Sequence, residues 1–297
     1  VPDPIPWRPW SPDAFEKART HRRPILLAIM PAWAQACRDM DRETYADTRV
    51  AARLADGWTC IRVDPLARPD IQARYEAGAW PSTVFLTPQG DIIASATYLD
   101  ANDMVRVLNH ISEWFRGSPA ELDAHIRDRE ARIRQVHGVS YPPAESVGAA
   151  VLQNTLRGIL ASADWAQGGF GTQAKYPFAS SLMALVTAYA DVGGPDFEAI
   201  LRRTTEGILR GLFDSRRGGF FRLCARPNWT VPHTEKVLEE NASLSLALLA
   251  IADVLGRRDA RAAVDATVRW ARALRDGSTG LYAAAQAADP EYYAEDA

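Results

Sequence analysis

Cys37 closes the stretch Trp33-Ala34-Gln35-Ala36-Cys37, directly after a strongly apolar run, so its chemistry is that of a thiol one helical turn inside a helix. A dithiol site passes one disulfide between two sulfurs a turn apart. The decisive position is therefore 34, where a helix N-terminus favours a thiolate most. Alanine occupies it. With one sulfur left, disulfide exchange within this motif is closed, and Cys37 alone reads as a semi-buried thiol of low reactivity. Cys60 and Cys224 show no paired spacing and no metal-ligand pattern, and both read as packing residues. His21, His110, His125 and His137 stand on polar segments, which gives no metal site, and no motif calls for another cofactor.

The elements that position Cys37 follow from periodicity. Pro24 to Met30 is a near-continuous apolar run, as in a strand buried on both faces. From Ala34 to about Leu54, Met40, Tyr45, Val50 and Leu54 recur at three- and four-residue spacing among charged residues, which predicts a helix. Trp58 to Asp64 reads as a second strand and Pro69 to about Ala77 as a short helix. Ala79-Trp80-Pro81 then enters a strand running to Leu86, where proline is tolerated and a cis bond before Pro81 suits a tight entry. Thr87-Pro88-Gln89-Gly90 signals a hairpin into a strand over Asp91 to Thr97. A closing helix runs from about Asn102 to Phe115, with Met104, Val105, Leu108, Ile111 and Phe115 on one face. This order is that of a thioredoxin fold, and Trp33 to Cys37 falls where its active site would be, without the first cysteine.

Several motifs carry a family resemblance. Pro6-Trp7-Arg8-Pro9-Trp10, Ala14-Phe15-Glu16-Lys17-Ala18, Met40-Asp41, Arg68-Pro69-Asp70, Trp80-Pro81, Phe85-Leu86-Thr87-Pro88 and Gly90 resemble the thioredoxin-like domain of the spermatogenesis-associated protein 20 family. Gly168-Gly169-Phe170-Gly171, Lys175-Tyr176-Pro177, Gly218-Gly219-Phe220, Trp229 and Val231-Pro232-His233-Thr234-Glu235-Lys236 resemble that family's helical domain, which is similar to six-hairpin sugar epimerases and glycosidases. The resemblance spans most of the chain. It implies a Cys-x-x-Cys pair where this chain has Ala34 to Cys37, and a proline and a histidine where Ala174 and Phe178 stand. Ala285-Gln286-Ala287-Ala288-Asp289 looks like an eroded acidic motif. Departures at three separate places fit natural degeneration better than one engineered substitution at position 34.

Length and composition fit two domains, since the chain has 297 residues of which 47% are hydrophobic. Residues 1–117 form the thioredoxin-like α/β domain. A charged helical connector over 118–143 follows, running along the outside and broken by Tyr141-Pro142-Pro143. Residues 144–297 form an all-α domain, with helices at about 144–163, 179–192, 196–213, 236–256 and 259–275 separated by glycine-rich loops. Such hairpins imply about half of an α/α toroid, so either the chain continues beyond Ala297 or a partner covers the exposed faces. A formal net charge of −3 with interspersed charges excludes a nucleic-acid or anionic-membrane surface. No apolar run nears the ~20 residues of a membrane span. The longest, Leu244 to Ile251, reads as a buried helix. A start at Val1 fits removal of a signal peptide or trimming, which leaves a periplasmic or secreted location open beside a cytoplasmic one.

In the second domain His233 and Glu235 are the evident titratable pair. They read either as an acid/base pair on a sugar-like ligand, with Trp229 and Phe220 as stacking candidates, or as an N-terminal capping arrangement with both aromatics in the core. The capping reading is the simpler. Asp164 and Trp165 read as loop structure. Three functions follow: a degenerate thioredoxin-like protein that binds a protein partner as an accessory or scaffold subunit, a thiol redox protein using Cys37, and a carbohydrate-binding or epimerase-like protein. The missing cysteine weighs against the second and the partial toroid against the third, which puts binding without enzymatic turnover first.

Overall fold

The computed structural model describes residues 5–137 and 148–288. The chain divides into two compact units, Val1–Pro142 and Pro143–Ala297. The expected break at Tyr141 to Pro143, the start of the helix expected from 144, and Asp289 lie outside the described residues.

In the first unit four strands, β1 (Ile25–Ile29), β2 (Thr59–Val63), β3 (Ser82–Leu86) and β4 (Ile92–Ala96), form a sheet of order β2-β1-β3-β4. β1 and β2 run parallel, while β3 is antiparallel to both β1 and β4. Every residue of β1 is buried, as its unbroken apolar run requires of a central strand. Ile25, Leu27 and Ile29 enter a core with Ile71 and Tyr75 of α4 (Pro69–Tyr75) and with Ala14 and Ala18 of α1 (Pro12–His21), while the alternating Leu26 and Ala28 face the other side of the sheet. The sequence reading has no counterpart of α1, whose signal is Ser11 followed by Pro12: the Ser11 hydroxyl accepts from the Ala14 N–H. Arg8 adds a parallel bridge to the edge of β2, donating its N–H to the Cys60 carbonyl at 2.9 Å.

The single helix expected over Ala34 to Leu54 is three pieces: α2 (Gln35–Met40), a π-helical turn (Asp41–Tyr45) and α3 (Thr48–Gly57). The Asp47 carboxylate accepts from the Arg49 N–H and starts α3 afresh, and Thr44 is tied instead to the Leu99 carbonyl at 2.7 Å. α5 (Ala101–Gly117) buries Met104, Leu108 and Ile111 on one face. The charged α6 (Pro119–His137) belongs to this unit and is not an outer connector. Leu122 and Ile126, one turn apart, are buried, and a ring nitrogen of His125 lies 3.1 Å from the Ile93 carbonyl.

The second unit holds α7 (Ala149–Ala161), α8 (Ala179–Val192), α9 (Pro195–Gly211), α10 (Leu238–Leu255) and α11 (Arg258–Ala273), with four two-residue strands, β5 (Leu223–Cys224), β6 (Pro232–His233), β7 (Lys236–Val237) and β8 (Ala285–Gln286). α10 packs between α8 and α11, and its Leu244, Ala247, Leu248 and Ile251 are the centre of the core. A threefold internal repeat organises the loops. After α7, α9 and α11 the chain makes the same turn, in which Gly168, Gly218 and Gly280 donate to the carbonyls of Asp164, Asp214 and Asp276. Each aspartate side chain accepts from the two N–H groups two and three residues on. In two of the three turns a buried lysine completes the motif. Lys175 reaches Asp164 at 2.7 Å, and Lys236 reaches Asp214 at 2.6 Å. Asp164, read from sequence as plain loop, is thus the anchor of a repeated brace.

Candidate functional site

In the first unit Ala34 is the residue immediately before α2, in an extended conformation and with no side chain to cap the helix. Cys37 donates its N–H to the Ala34 carbonyl at 3.1 Å, and its side chain is 1% exposed. The thiol therefore stands where the motif places it, one turn inside the helix, but closed off from solvent. The Trp80–Pro81 peptide is cis and leads into β3. Trp33 and Trp80 meet edge to face with centroids 5.4 Å apart, and Arg38 holds the Trp33 carbonyl at 2.8 Å. The geometry is that of an aromatic platform around a proline loop, with no second sulfur in it. Cys60 is buried on β2, and Cys224 is buried in the other unit with its thiol pushed up to about 11 by burial. None of the three cysteines is in a disulfide.

In the second unit the extended backbone brings His233 and Glu235 together. Residues two apart cannot share a helix face but do share a face of an extended chain. His233 Nδ1 lies 3.8 Å from Glu235 Oε1, the imidazole 44% exposed and the carboxyl side chain 2%. The expected capping role does not hold. α10 begins only at Leu238, its cap position is Val237 with no side-chain bond, and the Glu235 side chain turns into the fold.

Residues that the sequence reading did not single out complete the cluster. Arg222 donates its N–H to the Glu235 carbonyl at 3.0 Å, which fixes the two segments side by side. Its guanidinium stands 3.7 Å from Glu235 Oε1 through Nη1 and 3.7 Å from Glu240 Oε1 through Nε. Burial and the neighbouring Glu240 push the Tyr176 hydroxyl up. The Oε2 atoms of Glu235 and Glu240 are buried without hydrogen-bond partners. The two carboxyl groups are driven apart. Burial would raise Glu235, but His233, its backbone bond and Arg222 outweigh that and hold it low. At Glu240 burial prevails over Arg222 and Tyr176, with Glu235 and Glu239 adding to it, and the carboxyl is raised. Glu240 has little sequence signal, standing between Glu239 and Asn241 one turn before Leu244. Arg222 and Tyr176 carry none.

Trp229 and Phe220 are not open to a ligand. Trp229 is 2% exposed, donates from Nε1 to the Gln167 carbonyl at 2.9 Å, and sets its ring against Gly169 and Gly207. Phe220 is buried against Phe213. Among the described residues, no group of three or more His, Cys, Asp or Glu is arranged to hold a metal ion, and no helix is long and apolar enough to cross a membrane.

Fold and sites together define a thioredoxin-like α/β unit followed in the same chain by an all-α unit of packed helices. Residues 1–134 match the Thioredox_DsbH family, described as a protein of unknown function, DUF255. An uncharacterized protein of Caenorhabditis elegans is 29% identical over 266 residues, covering 82% of this chain and 35% of that protein. Human spermatogenesis-associated protein 20 is 26% identical over 313 residues, covering 97% of this chain and 39% of that protein. The chain is similar to spermatogenesis-associated protein 20 along nearly its whole length, and it spans less than two fifths of the length of these relatives. Among solved structures, cellobiose 2-epimerase from Spirochaeta thermophila is 22% identical with a TM-score of 0.40, over 47% of this chain and 41% of that one.

Proposed function

We propose that this chain acts by binding another protein, as an accessory or scaffold subunit, and that its thioredoxin-like unit is kept as a frame without dithiol turnover. The observation that carries this reading is the distribution of exposed apolar side chains. Among the described residues the large ones that stand exposed belong, apart from Leu66 and Tyr98, to the helical unit. Val192 is 73% exposed, Leu281 69% and Leu246 63%, on a unit whose helices otherwise bury their apolar stripes against one another. A contact face on this unit would draw on such side chains. The redox alternative is opposed by Ala34 at the helix start and by the burial of Cys37 behind it.

Native mass spectrometry of the protein purified gently from its source tests the reading. A stable stoichiometric complex with a second polypeptide is expected, and a lone monomer overturns it. Insulin reduction separates the redox alternative. The chain as it stands is expected to give background turnover only, with measurable activity on Ala34→Cys. Robust turnover by the unaltered chain would sink the binding-only view.

A further inference from the structure

We propose that the third turn of the internal repeat, Asp276 to Tyr282, is a docking socket for a helical hairpin of another protein, headed by a lysine that donates to Asp276 Oδ2. The inference deepens the protein-binding proposal and rests on it. The first two turns show what closes the third, because the three share one backbone. Asp164, Asp214 and Asp276 donate their N–H groups to the carbonyls of Gly169, Gly219 and Leu281, and Phe170, Phe220 and Tyr282 each bridge back to the residue before the aspartate. Only the cover differs. A Cβ at Gly168 would stand 2.6 Å from the Arg203 carbonyl oxygen of α9, and one at Gly218 would stand 2.4 Å from that of Ala266 on α11. At Gly280, in the same left-handed conformation, the nearest group is the Arg275 side chain of its own turn, at 3.2 Å. Phe170 and Phe220 are 6% and 1% exposed, whereas Tyr282 is 48% exposed.

The carboxylates set the partner's chemistry. Asp164 and Asp214 give Oδ1 to the N–H groups of their own turns and Oδ2 to a buried lysine. Asp276 gives Oδ1 to Ser278 and Thr279, and among the described residues its Oδ2 accepts no hydrogen bond. A helix laid over this turn takes the carboxylate out of water, which demands a cation on the free oxygen. Order along the chain gives the rest. Lys175 stands a few residues before α8 and Lys236 just before α10, and the helix that seals each turn is the next one, α9 or α11. The occupant is therefore a helix pair with a lysine ahead of its first helix. This chain has three lysines, and none is free for the role: Lys175 and Lys236 hold their own aspartates, and Lys17 lies within α1. A second copy thus has no such lysine to offer, and the donor belongs to a different polypeptide. Leu281 replaces the glycine against which Trp229 and Trp270 lie in the first two turns, so the partner meets it with a side chain smaller than an indole.

Zero-length carbodiimide cross-linking of the complex purified from its source tests this, because the reagent joins a lysine amine to a carboxylate only where the two are in contact. Peptide mass spectrometry is expected to find Asp276 joined to a lysine of a second polypeptide, shortly before a helix of that protein. In the reconstituted complex, Asp276→Asn, which keeps the acceptor of the turn, is expected to weaken binding at least about tenfold, the ratio for one charge-assisted hydrogen bond. An affinity indifferent to Asp276→Asn overturns this inference and leaves the protein-binding reading standing. So does a link from Asp276 to a lysine of its own chain or of a second copy. A lone monomer overturns both.

Discussion

Lys236 Nζ lies 2.6 Å from Asp214 Oδ2, both side chains being buried, and also donates to the Gly218 carbonyl at 2.7 Å. The same brace recurs at Lys175, which reaches Asp164 at 2.7 Å and the Gly171 carbonyl at 2.8 Å. Removing one member of a buried pair strands the other charge, which costs about 3–5 kcal/mol. Lys236→Met should therefore lower the unfolding free energy of the helical unit by about that much in urea titrations. Replacing both partners, as Lys236→Met with Asp214→Leu, should recover a large part of the loss. A double variant no more stable than the single one would show that the pair does not act as a brace.

Acid should weaken the same unit. Burial acts to raise Asp214, but Lys236 and the N–H groups of Arg216 and Arg217 outweigh it, so the folded carboxyl lies below its ordinary value, and Asp164 behaves alike with Lys175. A carboxyl lowered on folding adds stability above its unfolded value of ~3.9 and loses it as pH falls through the folded value. Urea midpoints should be flat from pH 7 to pH 5 and decline below pH ~4, with Lys236→Met declining less. Equal slopes for the two proteins would contradict this account.

Gly207 lies within α9, where glycine to alanine normally stabilises by about 1 kcal/mol. Here a Cβ would stand 2.4 Å from Trp229 Nε1 and 2.5 Å from Cε2. The indole cannot retreat, because Nε1 is bonded to Gln167 and the ring also lies against Gly169. Gly207→Ala should therefore reverse sign and destabilise by about 1–3 kcal/mol, as overpacking does. Thermal unfolding followed by circular dichroism decides it, and an unchanged or higher Tm would mean that the indole has room to move.

The parts of this protein legible in its sequence are those in which periodicity and local chemistry agree. The apolar run before Ala34 is the central strand β1, the turn at Thr87 to Gly90 joins β3 to β4, and the expected bounds of α8 coincide with those observed. The helix expected to run unbroken to Leu54 is interrupted after Tyr45, where Asp47 offers the backbone a better partner than another helical turn, which apolar spacing cannot reveal. The sequence of α6 reads as solvent-facing because its charge density hides Leu122 and Ile126. In the second unit, the brace was visible as an aspartate four residues before a glycine at 164, 214 and 276, with a lysine following in two of the three repeats. In the charged cluster around Glu235 only His233 and Glu235 were legible. Arg222, Tyr176 and Glu240 lie in three other segments, and nothing local in the sequence says that they converge.

Thiol accessibility offers a last discriminating measurement. The thiolate is the reactive form, so both burial and a raised pKa slow reaction with a disulfide reagent. For Cys224, whose thiol is pushed up to about 11, the thiolate fraction at pH 8 is roughly two hundredfold below that of an ordinary cysteine near 8.5. Cys37 and Cys60 are each 1% exposed and wait on opening of the fold. The native chain at pH 8 should release chromophore from Ellman's reagent only slowly, whereas in urea all three cysteines should react promptly. Ala34→Cys adds a thiol at the start of α2, where the helix N-terminus favours the thiolate although the position is buried, and should introduce a phase faster than that of Cys37 but slower than that of the urea-unfolded chain. A fast phase already present in the native parent, and lost in Cys37→Ser, would make Cys37 a working thiol and return the redox reading to first place.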